Sequence, residues 1–134
     1  MIVVDTSVAM KWFVEEEGSD AAVSLAAQET LIAPSLLRIE AGNVFFKLVV
    51  LRKLWVVEAA LAAQAELDTF ITEWVNAESL SADALAIACE IEHPVYDCYY
   101  LALARSRGIK LATADKRLIG QCRSKGWGAM IDAW

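Results

Sequence analysis

IVVDTSV (residues 2–8) is the stretch whose reading decides the fold. Ile2, Val3 and Val4 are consecutive β-formers with no polar alternation, the pattern of a strand covered on both faces in a parallel sheet. The run leads directly into Asp5, Thr6 and Ser7. A carboxylate there has two readings: a cap for the helix that follows, or a cation ligand held at the rim of a sheet.

The same alternation continues along the chain. A short helix is expected over residues 5–14, broken by Glu15, Glu16, Glu17 and Gly18, and Ser19 is placed to cap a helix over 20–29. LIA (31–33) reads as a second strand. Pro34 and Ser35 open a long helix over 34–53, since a proline lacks only an N–H that has no partner in a first turn. A helix over 57–72 is followed by an irregular third strand in WVNAESLS (74–81), with Ser81 capping a helix over 82–92. HPVYDCYYLALARSRG (93–108) is a helix that starts close to Pro94 and stops at Gly108. IKLATAD (109–115) supplies a fourth strand, residues 116–126 a further helix, and AMIDA (129–133) the last strand.

Strands alternating with helices define an α/β fold with a parallel sheet and helices on both faces. At 134 residues, without linker, repeat or low-complexity segment, the chain is expected to form a single domain over 1–134. Ligands of such sheets bind beyond the carboxyl ends of the strands, near the point where strand order reverses. Asp5 and Asp115 both fall at strand ends.

Composition narrows the function classes. Apolar residues make up 57% of the chain, with five Trp; this exceeds the usual share of about 45–50% and points to an apolar partner surface. The longest apolar region is interrupted by Lys47, Arg52, Lys53 and Glu58, well inside the roughly 20 residues a membrane span needs. No basic flank precedes the first apolar run, so no signal peptide is read and a cytoplasmic location is expected. Cys89, Cys98 and Cys122 lack zinc-site spacing and read as reduced core thiols. A net charge of −6 opposes a broad basic nucleic-acid surface, although seven of the twelve Lys and Arg lie between Arg105 and Lys125. His93 is the single histidine, so carboxylates are the larger chemical resource.

Four of them stand out. Glu40 has Leu36, Leu37 and Val44 at helical spacing, which puts its charge on or beside an apolar face. A carboxylate there needs a cation or donors, with Asn43 one turn away; the alternative is an edge position that reaches solvent or pairs with Arg38. Asp97 sits in the first turn of an apolar helix, where attraction to the positive helix end alone accounts for a carboxylate. Asp5 and Asp115 each have the capping explanation. Jointly, however, four carboxylates on one rim repel unless a cation lies among them. An oxygen-only set selects Mg²⁺ or Mn²⁺, and metal-assisted attack on a phosphodiester is the chemistry such a cluster serves.

Other phosphate and hydrolase chemistries lack their residues. A phosphoaspartate phosphatase needs an aspartate where Ser7 stands, and a receiver domain needs an acidic pair and a lysine that VVDTSV and AMIDAW do not supply. There is no phosphate-cradling GxxxxGK or GxGxxG loop, and no nucleophile elbow to accompany His93.

VVDTSV, APSLLRIEAGNVF, VYDCYYLALA and LATADKRL together resemble the four signature segments of the PIN-domain family, most closely its VapC-type ribonuclease toxins. The resemblance implies a three-layer α/β/α domain with about five parallel strands and an Mg²⁺- or Mn²⁺-dependent endoribonuclease whose acidic residues match Asp5, Glu40, Asp97 and Asp115. It also implies supporting hydroxyls at Thr6, Ser7 and Thr113, an RNA substrate, a homodimer, and a cognate antitoxin that silences the site. Lys11, Lys116 and Arg117 are candidate RNA contacts or exposed helix faces. Trp12 and Phe13 belong to the core or to an antitoxin groove; Tyr96, Tyr99 and Tyr100 stack on bases or pack in the core and dimer. Two other functions fit the same residues: an RNA-processing PIN nuclease without antitoxin, and a catalytically silent binding module.

Overall fold

The computed structural model describes all 134 residues. Five strands, β1 (Ile2–Val4), β2 (Leu31–Pro34), β3 (Glu73–Val75), β4 (Leu111–Thr113) and β5 (Ile131–Ala133), form one sheet in the order β3-β2-β1-β4-β5, with every pair parallel. Seven α-helices accompany it: α1 (Thr6–Ala9), α2 (Ser19–Gln28), α3 (Leu36–Phe46), α4 (Val57–Phe70), α5 (Ser81–Ile91), α6 (Val95–Arg107) and α7 (Lys116–Ser124). The chain crosses from β1 to β3 in one direction and returns to β4 and β5 in the other. Right-handed crossovers then place α1–α4 on one face and α5–α7 on the other, which is the expected three-layer α/β/α arrangement.

The central position of β1 explains its sequence. It pairs with β2 on one side and β4 on the other, Val3 and Val4 are wholly buried, and all residues of β2 and β4 are buried too. A strand with neighbours on both edges and helices on both faces has no solvent side, so an unbroken apolar run is what it requires. Thirty-four buried apolar residues form one contiguous cluster.

Several local expectations are corrected. Pro34 does not open the helix; it is the last residue of β2, in register with Val75, and Ser35 occupies the cap position. Ser35 makes no side-chain cap; its Oγ accepts from the Ala77 N–H. The long helix ends at Phe46 and passes into a π-helical turn over Lys47–Leu51, because the chain reverses to stack Trp55 on Phe45 at a centroid distance of 5.6 Å. Ser19 and Ser81 do not cap their helices. Gly18 stands at the cap of α2 with φ +86°, a left-handed conformation suited to glycine, while Ser19 Oγ bonds Glu16 N and Val14 O. The third strand is shorter than expected, and Asn76 caps a 3₁₀ turn (Ala77–Leu80) ahead of α5. Cys98 and Cys122 are buried thiols, with burial the main cause that pushes them up to about 12 and about 11; Cys89 is exposed and not part of the core.

Trp12 and Phe13 join an aromatic cluster. Trp12 stacks on Phe70 at 4.6 Å and donates its indole N–H to Ala22 O, and Phe13 meets Phe45 and Phe70 edge-on. Their packing is with the core.

Candidate active site

Strand order reverses between β1 and β4, and both strands deliver an aspartate at their carboxyl ends. Asp5 follows β1 and caps α1 by accepting from Val8 N; Asp115 follows β4 and caps α7 by accepting from Arg117 N and Leu118 N through Oδ1. The capping readings are therefore correct for both residues, but each cap engages one carboxylate oxygen only.

Helices from opposite faces bring the other two acids to the same rim. Glu40 on α3 and Asp97 on α6 line, with Asp5, Asp115, Thr6, Ser7 and Tyr100, a cavity of about 160 Å³. In all four carboxylates one oxygen is held by the protein and the other carries no hydrogen bond. Asp5 Oδ1 accepts from Ser7 Oγ at 2.5 Å as well as from Val8 N. Glu40 Oε1 accepts from Thr6 Oγ1 at 2.9 Å and from the Tyr100 hydroxyl. Asp97 Oδ2 is 2.6 Å from His93 Nε2, one helical turn earlier.

Hydroxyls tie the two strand ends together. Ser7 Oγ also accepts from Ala114 N at 2.8 Å and lies 3.5 Å from Thr113 Oγ1, while Thr113 Oγ1 accepts from Asp115 N. One side chain thus fixes the β1 loop, the β4 loop and the Asp5 carboxylate.

The electrostatics are those of crowded anions. Asp5 is 4% exposed, and burial, with a smaller contribution from the charge of Asp97, pushes its carboxyl up to about 6 against the opposing bonds from Ser7, Thr113 and Val8. Burial likewise raises Glu40, opposed by its bonds from Tyr100 and Thr6 and assisted by Asp97. Tyr100 is held well above the usual phenol range by burial and by Glu40. Burial and mutual repulsion thus both favour the neutral forms of Asp5 and Glu40, which a cation would oppose.

This donor set suits a hard divalent ion, being all oxygen, buried on one side and supplied by four separate elements. The match is one of chemistry and placement: as the side chains stand, no three His, Cys, Asp or Glu groups converge closely enough to hold an ion. Asp97 turns toward His93, and Asp115 toward the first turn of α7.

Other expected neighbours lie elsewhere. Neither Asn43 nor Arg38 hydrogen-bonds to Glu40, although Asn43 lines a neighbouring cleft with it; Arg38 bonds Asp68 at 2.8 Å and covers the Trp74 ring. Lys11 Nζ is engaged by Glu16 and by Glu17 O, although Lys11 and Lys116 face one another across a larger cleft. Lys116 and Arg117 are exposed and unpaired. The three tyrosines separate: Tyr96 is exposed, Tyr99 bonds Ser81, and Tyr100 belongs to the site. Sequence reasoning offered Tyr100 base stacking or packing and His93 no partner; the structure bonds them to Glu40 and Asp97. For Tyr100 the signal was spacing, since the position three after Asp97 shares its helix face; His93 reaches Asp97 from the loop that precedes α6.

Fold and site define a parallel α/β protein with an acidic cavity at its topological switch point. The PIN-domain family model matches residues 2–122, and the chain belongs to that family, whose members are nucleases. Among solved structures it is similar to PAE2754 from Pyrobaculum aerophilum, with 22% identity over 90% of this chain and 83% of that one and a TM-score of 0.64. It is also similar to VapC20 of Mycobacterium tuberculosis, a sarcin-ricin-loop-cleaving toxin, with 20% identity over 82% of this chain and 85% of that one and a TM-score of 0.55. These likenesses are of fold. No curated protein matches the chain by sequence.

Proposed function

We propose that the protein is an Mg²⁺- or Mn²⁺-dependent endoribonuclease, the VapC-type toxin of a type II toxin–antitoxin pair acting in the cytoplasm. The observation that carries this reading is the gathering of Asp5, Glu40, Asp97 and Asp115 from four separate elements around one cavity at the switch point of the sheet.

Asp5 and Asp97 would hold a divalent ion, with Glu40 and Asp115 completing its shell or orienting the attacking water; bound there, the ion would acidify a water and neutralise the leaving 3′ oxygen. The protein's own groups do the positioning. Ser7 and the Val8 N–H orient Asp5, Thr6 and Tyr100 orient Glu40, and the first turn of α7 orients Asp115. Closing on an ion requires side-chain rotation of Asp97 and Asp115 toward the cavity. Thr113 supports the site through Ser7 and the Asp115 N–H. Lys116 and Arg117, immediately after Asp115, contact RNA phosphates; Lys11 joins them only if released from Glu16. In-line hydrolysis leaves 5′-phosphate and 3′-hydroxyl ends.

The toxin assignment draws on the VapC fold likeness and on exposed apolar side chains along α3, α4 and the connection between them, including Ile39, Phe46, Leu54 and Leu61. Apolar surface of that kind suits a homodimer and an antitoxin. No helix is long and apolar enough to cross a membrane.

Brief induced expression tests the reading. Growth arrest with newly mapped RNA 5′ ends is expected from the wild-type chain, and neither from Asp5→Asn. Arrest that persists in Asp5→Asn would leave a binding module in place of a nuclease. Relief by a small protein encoded beside it separates a toxin from an RNA-processing enzyme.

A further inference from the structure

Three clefts meet at Lys116. One, of about 490 Å³, runs between Lys11 and Gly18 on one wall and Ala114, Lys116 and Trp134 on the other. A second passes from Lys116 over Gly120 and Arg123 to the same Trp134, and a third leads from Lys116 and Arg117 to His93. Lys116 directly follows Asp115, which lines the acidic cavity, so the three clefts and the cavity are lined by neighbouring residues of the chain.

Their lining carries the basic side chains that the cavity lacks, beside Glu17 at the first cleft and Glu92, paired with Lys125, at the third. Lys116, Arg117 and Arg123 form no salt bridge with any acidic group of the protein, although the chain as a whole is acidic. Lys116, Gly120 and Arg123 follow helical spacing along one face of α7, and a Cβ on Gly120 would meet nothing within 4 Å. Trp134 is half-buried and held at this edge by two bonds, from its backbone N–H to Thr113 O and from its indole N–H to Asp132. A pinned ring costs little further ordering when a base stacks on it.

We propose that these clefts form the binding path for single-stranded RNA on the β4–β5 side of the active site, with one unpaired base stacked on Trp134 and the adjoining phosphates on Lys116 and Arg123. This rests on the nuclease reading and extends it to a base-stacking subsite at Trp134. The largest cleft falls within the roughly 300–1,000 Å³ of pockets that seat small organic groups, and an unpaired base is the nucleic-acid group that stacks on an aromatic platform beside cations. A paired base in a duplex has no free face to offer.

Binding measured in the Asp5→Asn background, where cleavage does not intervene, tests the proposal. The probes are fluorescently labelled oligoadenylate and oligouridylate and a duplex of equal length. Single strands should bind more tightly than the duplex, Trp134→Ala should weaken them about 5- to 150-fold, the range that stacking on one ring supplies, and Trp134→Phe should restore most of the loss. Gly120→Glu provides a variant free of folding doubt: replacing a helical glycine raises or preserves thermal stability, yet the new side chain blocks the path and should reduce binding at least as much. Wild-type affinity in both Trp134→Ala and Gly120→Glu, or tighter binding of the duplex, overturns the subsite. Absence of binding by every form, the Asp5→Asn parent included, counts against the nuclease reading itself.

Discussion

Tyr100 on α6 donates its hydroxyl hydrogen to Glu40 on α3, joining helices on opposite faces of the sheet across the rim that carries Asp5. The phenol is 1% exposed, and the same hydroxyl lies 3.1 Å from Thr6 Oγ1. The bond lowers a carboxyl that burial raises. Tyr100→Phe should therefore cost about 1 kcal/mol of stability, the usual net value of such a bond, and shift the acidic limb of the cleavage–pH profile upward. Thermal unfolding and a pH–rate series check the two effects separately.

Ser7 is expected to matter more to architecture than its size implies. Its hydroxyl donates to Asp5 and accepts from Ala114 N, so Ser7→Ala leaves a backbone donor at the end of β4 without its partner. A loss of about 1–3 kcal/mol is expected for such a group, together with reduced cleavage as Asp5 loses a bond that favours its charged form. Denaturant unfolding measures the first and single-turnover cleavage the second.

Asp5 is predicted to trade stability for function. Its carboxyl is raised from 3.8 to about 6 in the folded chain, chiefly by burial. A raised carboxyl contributes stability that is full below the unfolded value and lost as pH rises through the folded one. In chelator, the wild type should weaken between about pH 4 and pH 6 relative to Asp5→Asn, with a difference of at most about 3 kcal/mol above that window. Melting temperatures of both proteins across pH provide the check.

A divalent ion should reverse that penalty. Mg²⁺ or Mn²⁺ is expected to stabilise the wild type by about 2.7 kcal/mol at a hundredfold excess over the dissociation constant, with a larger rise in melting temperature above pH 6 than below pH 4. Chelation should return the protein to its metal-free stability and stop cleavage without unfolding it, because the core is complete without the ion. Unfolding on chelation would assign the ion a structural role.

The parts of this fold legible in sequence were those governed by burial. IVV and LIA announce central strands because nothing polar interrupts them, and Gly108 marks the end of α6 with the left-handed φ of +64° that glycine favours. The misplaced boundaries arose where a residue had two adequate local roles. Pro34 suits a strand end as well as a first helical turn, and Ser19 and Ser81 find partners other than the helix N–H groups. The acidic residues could be named from spacing, but their hydrogen-bond partners could not. Whether Glu40 meets Asn43 or Tyr100 depends on how α3 and α6 pack, which is a tertiary relationship.

The central claim is that the four carboxylates gather a divalent ion to cleave RNA. Calorimetric titration of Mn²⁺ into the metal-free wild type and Asp5→Asn, paired with RNA cleavage by the same samples, tests it most directly. Saturable binding and metal-dependent cleavage by the wild type, both lost in Asp5→Asn, are predicted; equal Mn²⁺ binding by the two proteins, or cleavage that survives in Asp5→Asn or in chelator, would contradict it.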